Sequence, residues 1–226
     1  MKDVLKQNAV FTGLSLILIA VLGLALLYIP KGELHLLLCD RHTYARDIFY
    51  RYYTQIAEWF PYLLCVGLLF YRAGAAALTT AGVALSGLCT QIIKHVVNAP
   101  RPLTWFATNY PDIQLPLVEG VHMSKYYSFP SGHTTTFFAL AFALSIILTS
   151  APVRTRLPKI TSWLLQAILF FLAALGGYSR IYLSQHFALD VFAGTLVGIL
   201  ITLLSYTILV RFQDKKWFNY RLFQKK

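Results

Sequence analysis

Apolar residues in this chain are gathered into six runs separated by polar segments. The clearest covers residues 9–29 and is closed by Pro30; a second ends at Tyr71, and a third covers residues 73 to about 93. The fourth, fifth and sixth cover residues 131–150, 160–177 and 187–210. A helix needs roughly 20 apolar residues to cross the hydrocarbon of a bilayer, and the runs approach that length. The second is the shortest, because Glu58 and Pro61 cut into it and Arg72 at its end must snorkel. The strict alternation of a lipid-facing barrel is absent, and helices satisfy their own backbone groups in lipid. The pattern predicts an all-α polytopic membrane protein with six transmembrane helices.

Two long polar segments interrupt the runs. Residues 43–60 read "TYARDIFYRYYTQIAEWF". Ile48, Phe49, Tyr52, Tyr53, Ile56, Trp59 and Phe60 recur at helical spacing, with Asp47, Arg51 and Glu58 on the opposite side. This predicts an amphipathic helix lying at the membrane surface after the first span, with a scaffold role. Residues 97–129 are polar, carry Pro100, Pro102, Pro111 and Pro116, and join the third and fourth runs. Loops of that length in compact proteins are often functional.

Composition agrees with the pattern. Hydrophobic residues make up 57% of the 226 and charged ones 13%, against about a quarter charged in soluble domains. No soluble domain, repeat or linker separates, so residues 1–226 read as one membrane-embedded domain. The first run is longer than a signal-peptide core and lacks a small-x-small cleavage site, which reads as a retained anchor. Cys39, Cys65 and Cys89 form neither a disulfide framework nor a zinc spacing.

Charge adds an orientation. With both termini cytoplasmic, the inner segments hold Lys2, Lys6, Arg72, Arg154, Arg156, Lys159, Arg211, Lys215, Lys216, Arg221, Lys225 and Lys226, twelve of the 20 basic residues. Only Asp3 and Asp214 oppose them there, and positive-inside favours this topology. Much of the net +11 is thereby placed by the membrane, and nucleic-acid binding is not expected, since no basic stripe sits on a soluble domain.

Three polar clusters then fall on the outer face: Lys94 and Arg101 in "KHVVNAPRP", Ser131 to His133 in "PSGH", and Arg180, His186 and Asp190 in "SRIYLSQHFALD". Each has an ordinary reading: a snorkelling cation, a helix cap, an i, i+4 surface pair. Together they are three cations, two histidines, one carboxylate and a glycine-containing helix start, and ionisable groups at a membrane edge are costly. That set suits phosphate. Arginine offers bidentate donors to its oxygens, Gly132 and the helix start offer exposed N–H groups, and Ser131 offers a hydroxyl. His133 is placed to exchange a proton. Asp190, one turn beyond His186, can hold one ring nitrogen and leave the other free to attack phosphorus.

These residues resemble the signature of the type 2 phosphatidic acid phosphatase superfamily, which soluble vanadium haloperoxidases share. Its three parts read here as Lys94…Arg101-Pro102, Pro130-Ser131-Gly132-His133, and Ser179-Arg180…His186…Asp190, in order and spacing. The resemblance implies a phosphohistidine on His186, oriented by Asp190, with His133 protonating the leaving group. Lys94, Arg101, Arg180, Ser131 and Gly132 would hold the phosphoryl oxygens. It implies no metal and no cofactor. It also implies a bacterial inner-membrane enzyme acting at the outer leaflet on a lipid phosphate: lipid A, undecaprenyl diphosphate or phosphatidylglycerol phosphate. The alternative is a phosphotransferase using a lipid or sugar acceptor. A transporter is disfavoured, because no inverted repeat or discontinuous helix pair is visible, and the haloperoxidases are soluble and longer. His122 and Lys125, in the loop before Pro130, are candidates for headgroup contact.

Overall fold

The computed structural model describes residues 2–150, 153 and 155–222. Of the inner basic residues, Arg154, Lys225 and Lys226 lie outside them. Among the described residues the chain is all-helical, without strands. It comprises α1 (Lys2–Gln7), α2 (Ala9–Tyr28), α3 (Lys31–Cys39), α4 (Tyr44–Tyr71), α5 (Ala73–Val97), α6 (Pro102–Asn109), α7 (Gly132–Thr149), α8 (Lys159–Tyr182) and α9 (Ala188–Leu209). Short 3₁₀ turns follow at Val210–Phe212 and Lys216–Asn219. Five stretches are long and apolar enough to cross a membrane: Ala9–Tyr28, Ala73–Asn109, Gly132–Thr149, Lys159–Tyr182 and Ala188–Phe212.

The predicted surface helix and the predicted second span are one continuous 28-residue helix, α4. Thr43 caps it, its Oγ1 accepting from the Arg46 N–H. The helix runs on through Pro61, which cannot donate to the Ala57 carbonyl, so one rung is missing. Packing against α5, α7 and α8 holds the helix across that gap. Two further helices lie outside the six runs: α3, between the first run and residue 43, and α6, within the segment read as a loop.

α7 is apolar on nearly all sides, and a helix of that kind is a buried one. It is the centre of the bundle, contacting α4, α5, α8 and α9, with Phe138, Phe142, Ala139 and Ala143 fully buried. α2 is as apolar but mostly uncovered: Leu16, Ile17, Val21, Leu24 and Leu27 are exposed. A patch of that size in water would be an association surface; against acyl chains it is the normal exterior, and the chain is a membrane protein.

Close approach of α9 to α7 sets the end of the bundle where both helices start. A Cβ at Gly194 would stand 2.7 Å from the Ser131 carbonyl oxygen, and one at Gly198 2.6 Å from that of Thr135. These glycines form a G-x-x-x-G face, which lets helix backbones pack tightly in lipid. The contact brings the Ser131 N–H to the Asp190 carbonyl oxygen at 2.9 Å, joining the start of α7 to the start of α9. At the other end Asn8 bonds Ser145 and Thr149, and Gln166 bonds the backbone of Gln7 and Phe11, satisfying the break between α1 and α2.

Candidate active site

Asp190 occupies the third position of α9, where its carboxylate turns back on the helix start. Its Oδ2 accepts from the Phe187 N–H at 2.9 Å, from the Ser128 hydroxyl at 2.5 Å and from His186 Nδ1 at 3.3 Å. The side chains of His186 and Asp190 are 2% and 5% exposed. A buried carboxylate needs such donors to stay ionised. With Nδ1 turned to Asp190, Nε2 is the nitrogen left for chemistry. Burial holds the His186 imidazolium form below the ordinary histidine range, against the opposing pull of Asp190. The ring is therefore neutral at physiological pH, which is the nucleophilic form.

His186 opens on a cavity of about 320 Å³ that Lys94, Arg101, Gly132, His133 and Arg180 also line. All three sequence clusters meet there. Lys94, in the last turn of α5, donates from Nζ to the Tyr127 carbonyl. Arg101, the N-cap of α6, donates from Nε to the Tyr126 carbonyl at 3.1 Å and from Nη1 to that of Gln185 at 3.4 Å. Arg180, in the last turn of α8, donates from Nη1 to Thr54 Oγ1 at 2.7 Å and is only 4% exposed. Among the described residues its Nε has no hydrogen-bond partner. Every protein acceptor of these three cations is a neutral oxygen, and among the described residues none of them reaches a carboxylate within 4.0 Å. Converging cations left without counter-charge are a seat for an anion.

The long outer loop braces this seat. Arg101 N–H donates to the Lys125 carbonyl at 2.9 Å, and Ser128 N–H to that of Ala99 at 3.0 Å. A Cβ at Gly132 would meet Thr90 and Lys94 at 3.8 and 3.9 Å, ordinary contacts, so protein packing does not demand glycine there. Ser131 opens α7 with its own O–H not committed to any acceptor among the described residues. It is fully buried, and its Oγ caps α7, accepting from the Thr134 N–H at 3.4 Å and hydroxyl at 2.9 Å. Among the described residues no group of three His, Cys, Asp or Glu is placed to hold a metal.

A second polar cavity of about 360 Å³ adjoins the first, sharing Arg101, His133 and Arg180 and lined further by Thr54, Glu58 and His122. Lys125 reaches the site through its backbone carbonyl alone. Here the structure adds residues that sequence reading passed over. His133 Nε2 lies 3.1 Å from Glu58 Oε1, Thr54 holds Arg180, and Ser128 holds Asp190. The signal for the first two was the polar stripe of α4. Asp47, Arg51, Thr54 and Glu58 fall at i, i+4, i+7 and i+11; Thr54 is buried against Arg180, while Glu58 stays exposed beside His133. Asp47 accepts from Tyr182 Oη at 2.6 Å, and Arg51 donates to the Glu119 carbonyl at 3.0 Å. Ser128 carried no signal.

The bundle and the three-part site place the chain among membrane-embedded proteins of the PAP2 type. Residues 75–214 match the model of the PAP2 superfamily, and the chain belongs to that superfamily. It is similar to the lipid A 4'-phosphatase of Porphyromonas gingivalis, 27% identical over 158 residues, which are 66% of this chain and 61% of that protein. It spans 43% and 37% of the length of two further relatives. Among solved structures, Aquifex aeolicus LpxE superposes with a TM-score of 0.61 at 27% identity, covering 77% of this chain and 93% of that one. A PAP2-type phosphatidylglycerolphosphate phosphatase from Bacillus subtilis shares the fold, with a TM-score of 0.66 at 19% identity over 93% of this chain and 99% of that one.

Proposed function

We propose that the chain hydrolyses a phosphate from a lipid phosphate or diphosphate through a phosphohistidine on His186. One observation carries this reading: a neutral, carboxylate-held imidazole opens on a cavity ringed by three cations, none of which has a carboxylate within 4.0 Å among the described residues. Lys94, Arg101, Arg180 and the Gly132 N–H hold the phosphoryl oxygens, and positioning plus charge is most of what phosphoryl transfer needs. His186 Nε2 attacks phosphorus as the P–O bond to the lipid breaks, and His133 gives its proton to the leaving oxygen. His133 then takes a proton from the water that attacks the phosphohistidine, which releases phosphate and restores His186. The charge that a metal would supply comes from the three cations, so the reaction is metal-independent.

An apolar groove of about 490 Å³ beside the site, lined by Ala57, Pro61, Val83, Gly87 and Thr136, suits the lipid tail. The second half of α4 acts as a sixth span and its polar first half lies at the interface. Both termini are cytoplasmic and the site faces outward, so a reporter fused after Lys226 should read inside and one near Asp112 outside. The kinship with a lipid A 4'-phosphatase makes a lipid A phosphate the first substrate to test, beside undecaprenyl diphosphate and phosphatidylglycerol phosphate. The decisive assay is phosphate release by purified protein across that panel, in EDTA with and without added Mg²⁺. Activity should survive EDTA, an acid-labile phosphoenzyme should be trappable, and His186→Ala should abolish both. Phosphatase activity retained in His186→Ala, or lost in EDTA and restored by Mg²⁺, refutes the mechanism.

A further inference from the structure

The reaction above asks His133 to carry a proton in the first step and to accept one in the second. Its surroundings disfavour the first. Lys94, Arg101 and Arg180 line the same cavity, and His186 stands across it. The cations that attract the phosphoryl group repel an imidazolium beside it. The opposing charge comes from one place. Glu58 Oε1 lies 3.1 Å from His133 Nε2, and these are the only carboxylate and histidine so paired across α4 and α7 among the described residues.

We infer that Glu58 is the positioning residue of the general acid, holding the His133 ring by Nε2–H so that Nδ1 is the nitrogen that gives and takes the proton. This rests on the phosphohistidine reading and extends it to α4, outside the three-part signature. The proton balance closes. In the first step His133 is an imidazolium with Nε2–H on Glu58, and its Nδ1 proton goes to the lipid alkoxide. The ring is then neutral, with Nε2–H still on Glu58 and a lone pair on Nδ1. In the second step Nδ1 takes a proton from the attacking water, and the imidazolium is restored. Glu58 exchanges no proton in either step. Nδ1 has no protein partner among the described residues, as this role requires. The two side chains are 23% and 62% exposed, so the pair also stays in touch with water through the outer cavity it lines. A carboxylate that orients a histidine and stabilises its cation is the logic of the third member of a hydrolase triad.

The test compares leaving groups. A nitrophenyl phosphate departs without a proton, whereas decyl phosphate needs one. In Glu58→Gln, kcat/KM for decyl phosphate should fall about tenfold or more, part of the usual 10²–10⁴ of acid catalysis. The nitrophenyl ester should change less than about threefold. Glu58→Asp, which guards against a folding defect, should recover part of the loss. In a His133→Ala background, Glu58→Gln should add nothing. Equal losses on both esters, no loss on either, or full additivity with His133→Ala would overturn the inference. Loss of the trappable phosphoenzyme arm in His186→Ala tests the underlying reading separately, since Glu58→Gln leaves His186 and Asp190 intact.

Discussion

The site holds two histidine–carboxylate pairs built in opposite ways. His186 and Asp190 are four residues apart at one helix start, almost without solvent, and three donors converge on a single carboxylate oxygen. His133 and Glu58 are 75 residues apart on different helices and remain open to the outer cavity. The difference matches the tasks proposed for them. A nucleophile must stay neutral and fixed, and burial with a rigid acceptor does both. An acid–base group must change charge twice in each turnover, and a solvent-accessible partner tolerates that. Local geometry therefore makes the rigid pair, and tertiary packing makes the adjustable one.

The comparison breaks most visibly at the rigid pair. Asp190→Asn keeps an acceptor for the Phe187 N–H but no longer holds His186 in the required tautomer. The rate of phosphoenzyme formation should fall about 10³–10⁴-fold, the size seen when a triad aspartate becomes asparagine, with the protein still folded by thermal melt. A residual rate above a tenth of wild type would mean that the orientation of His186 does not depend on Asp190. Ser128→Ala sharpens the same pair. It removes one charge-assisted bond, worth about 1.5–3 kcal/mol, and should act as a weak version of the asparagine change. The expected loss is ten- to a hundredfold in phosphate release, read in the same assay.

Effects on the α4 side should be smaller. Thr54→Val leaves Arg180 Nη1 without its acceptor, and kcat/KM should fall about tenfold, the value of one hydrogen bond to a charged group. Vanadate inhibition should weaken in parallel, since it reads the same cation. The smallest effect concerns stability. His35, packed behind the site against Phe106 and Phe187 with Ser184 at 3.3 Å, is held by burial down to about 4 from an ordinary 6.5. The unfolded chain takes up this proton first. Its contribution is thus complete above pH 6.5 and is lost as pH falls from there toward about 4. His35→Gln should flatten the fall in melting temperature over that window, and an unchanged slope would assign it to other groups.

Much of the chemistry could be read from the chain because it is written locally. The i, i+4 spacing of His186 and Asp190, the helix start at Gly132, and the order of the cationic clusters depend on a few residues each. The apolar runs likewise announced helices, since lipid leaves the backbone no other economical solution. Ser131 shows what local reading leaves out: the sequence offers its hydroxyl, and only the helix start shows that Oγ also caps α7 by accepting from Thr134.

What the chain did not announce depends on how helices meet. The polar stripe of α4 is visible as a periodicity, but a stripe facing water and a stripe facing an active site have the same spacing. Packing against α7 and α8 decides between them, and it turns Thr54 and Glu58 toward Arg180 and His133. Ser128 lies in a loop with no periodicity, and its value comes from the fold-back of residues 125–128 onto Ala99 and Arg101. Spacing along the sequence determined which groups could make up the proposed site. The close contact of α9 on α7 at Gly194 and Gly198 determined where those groups stand, because interhelical distance is a property of two segments and is encoded in neither alone.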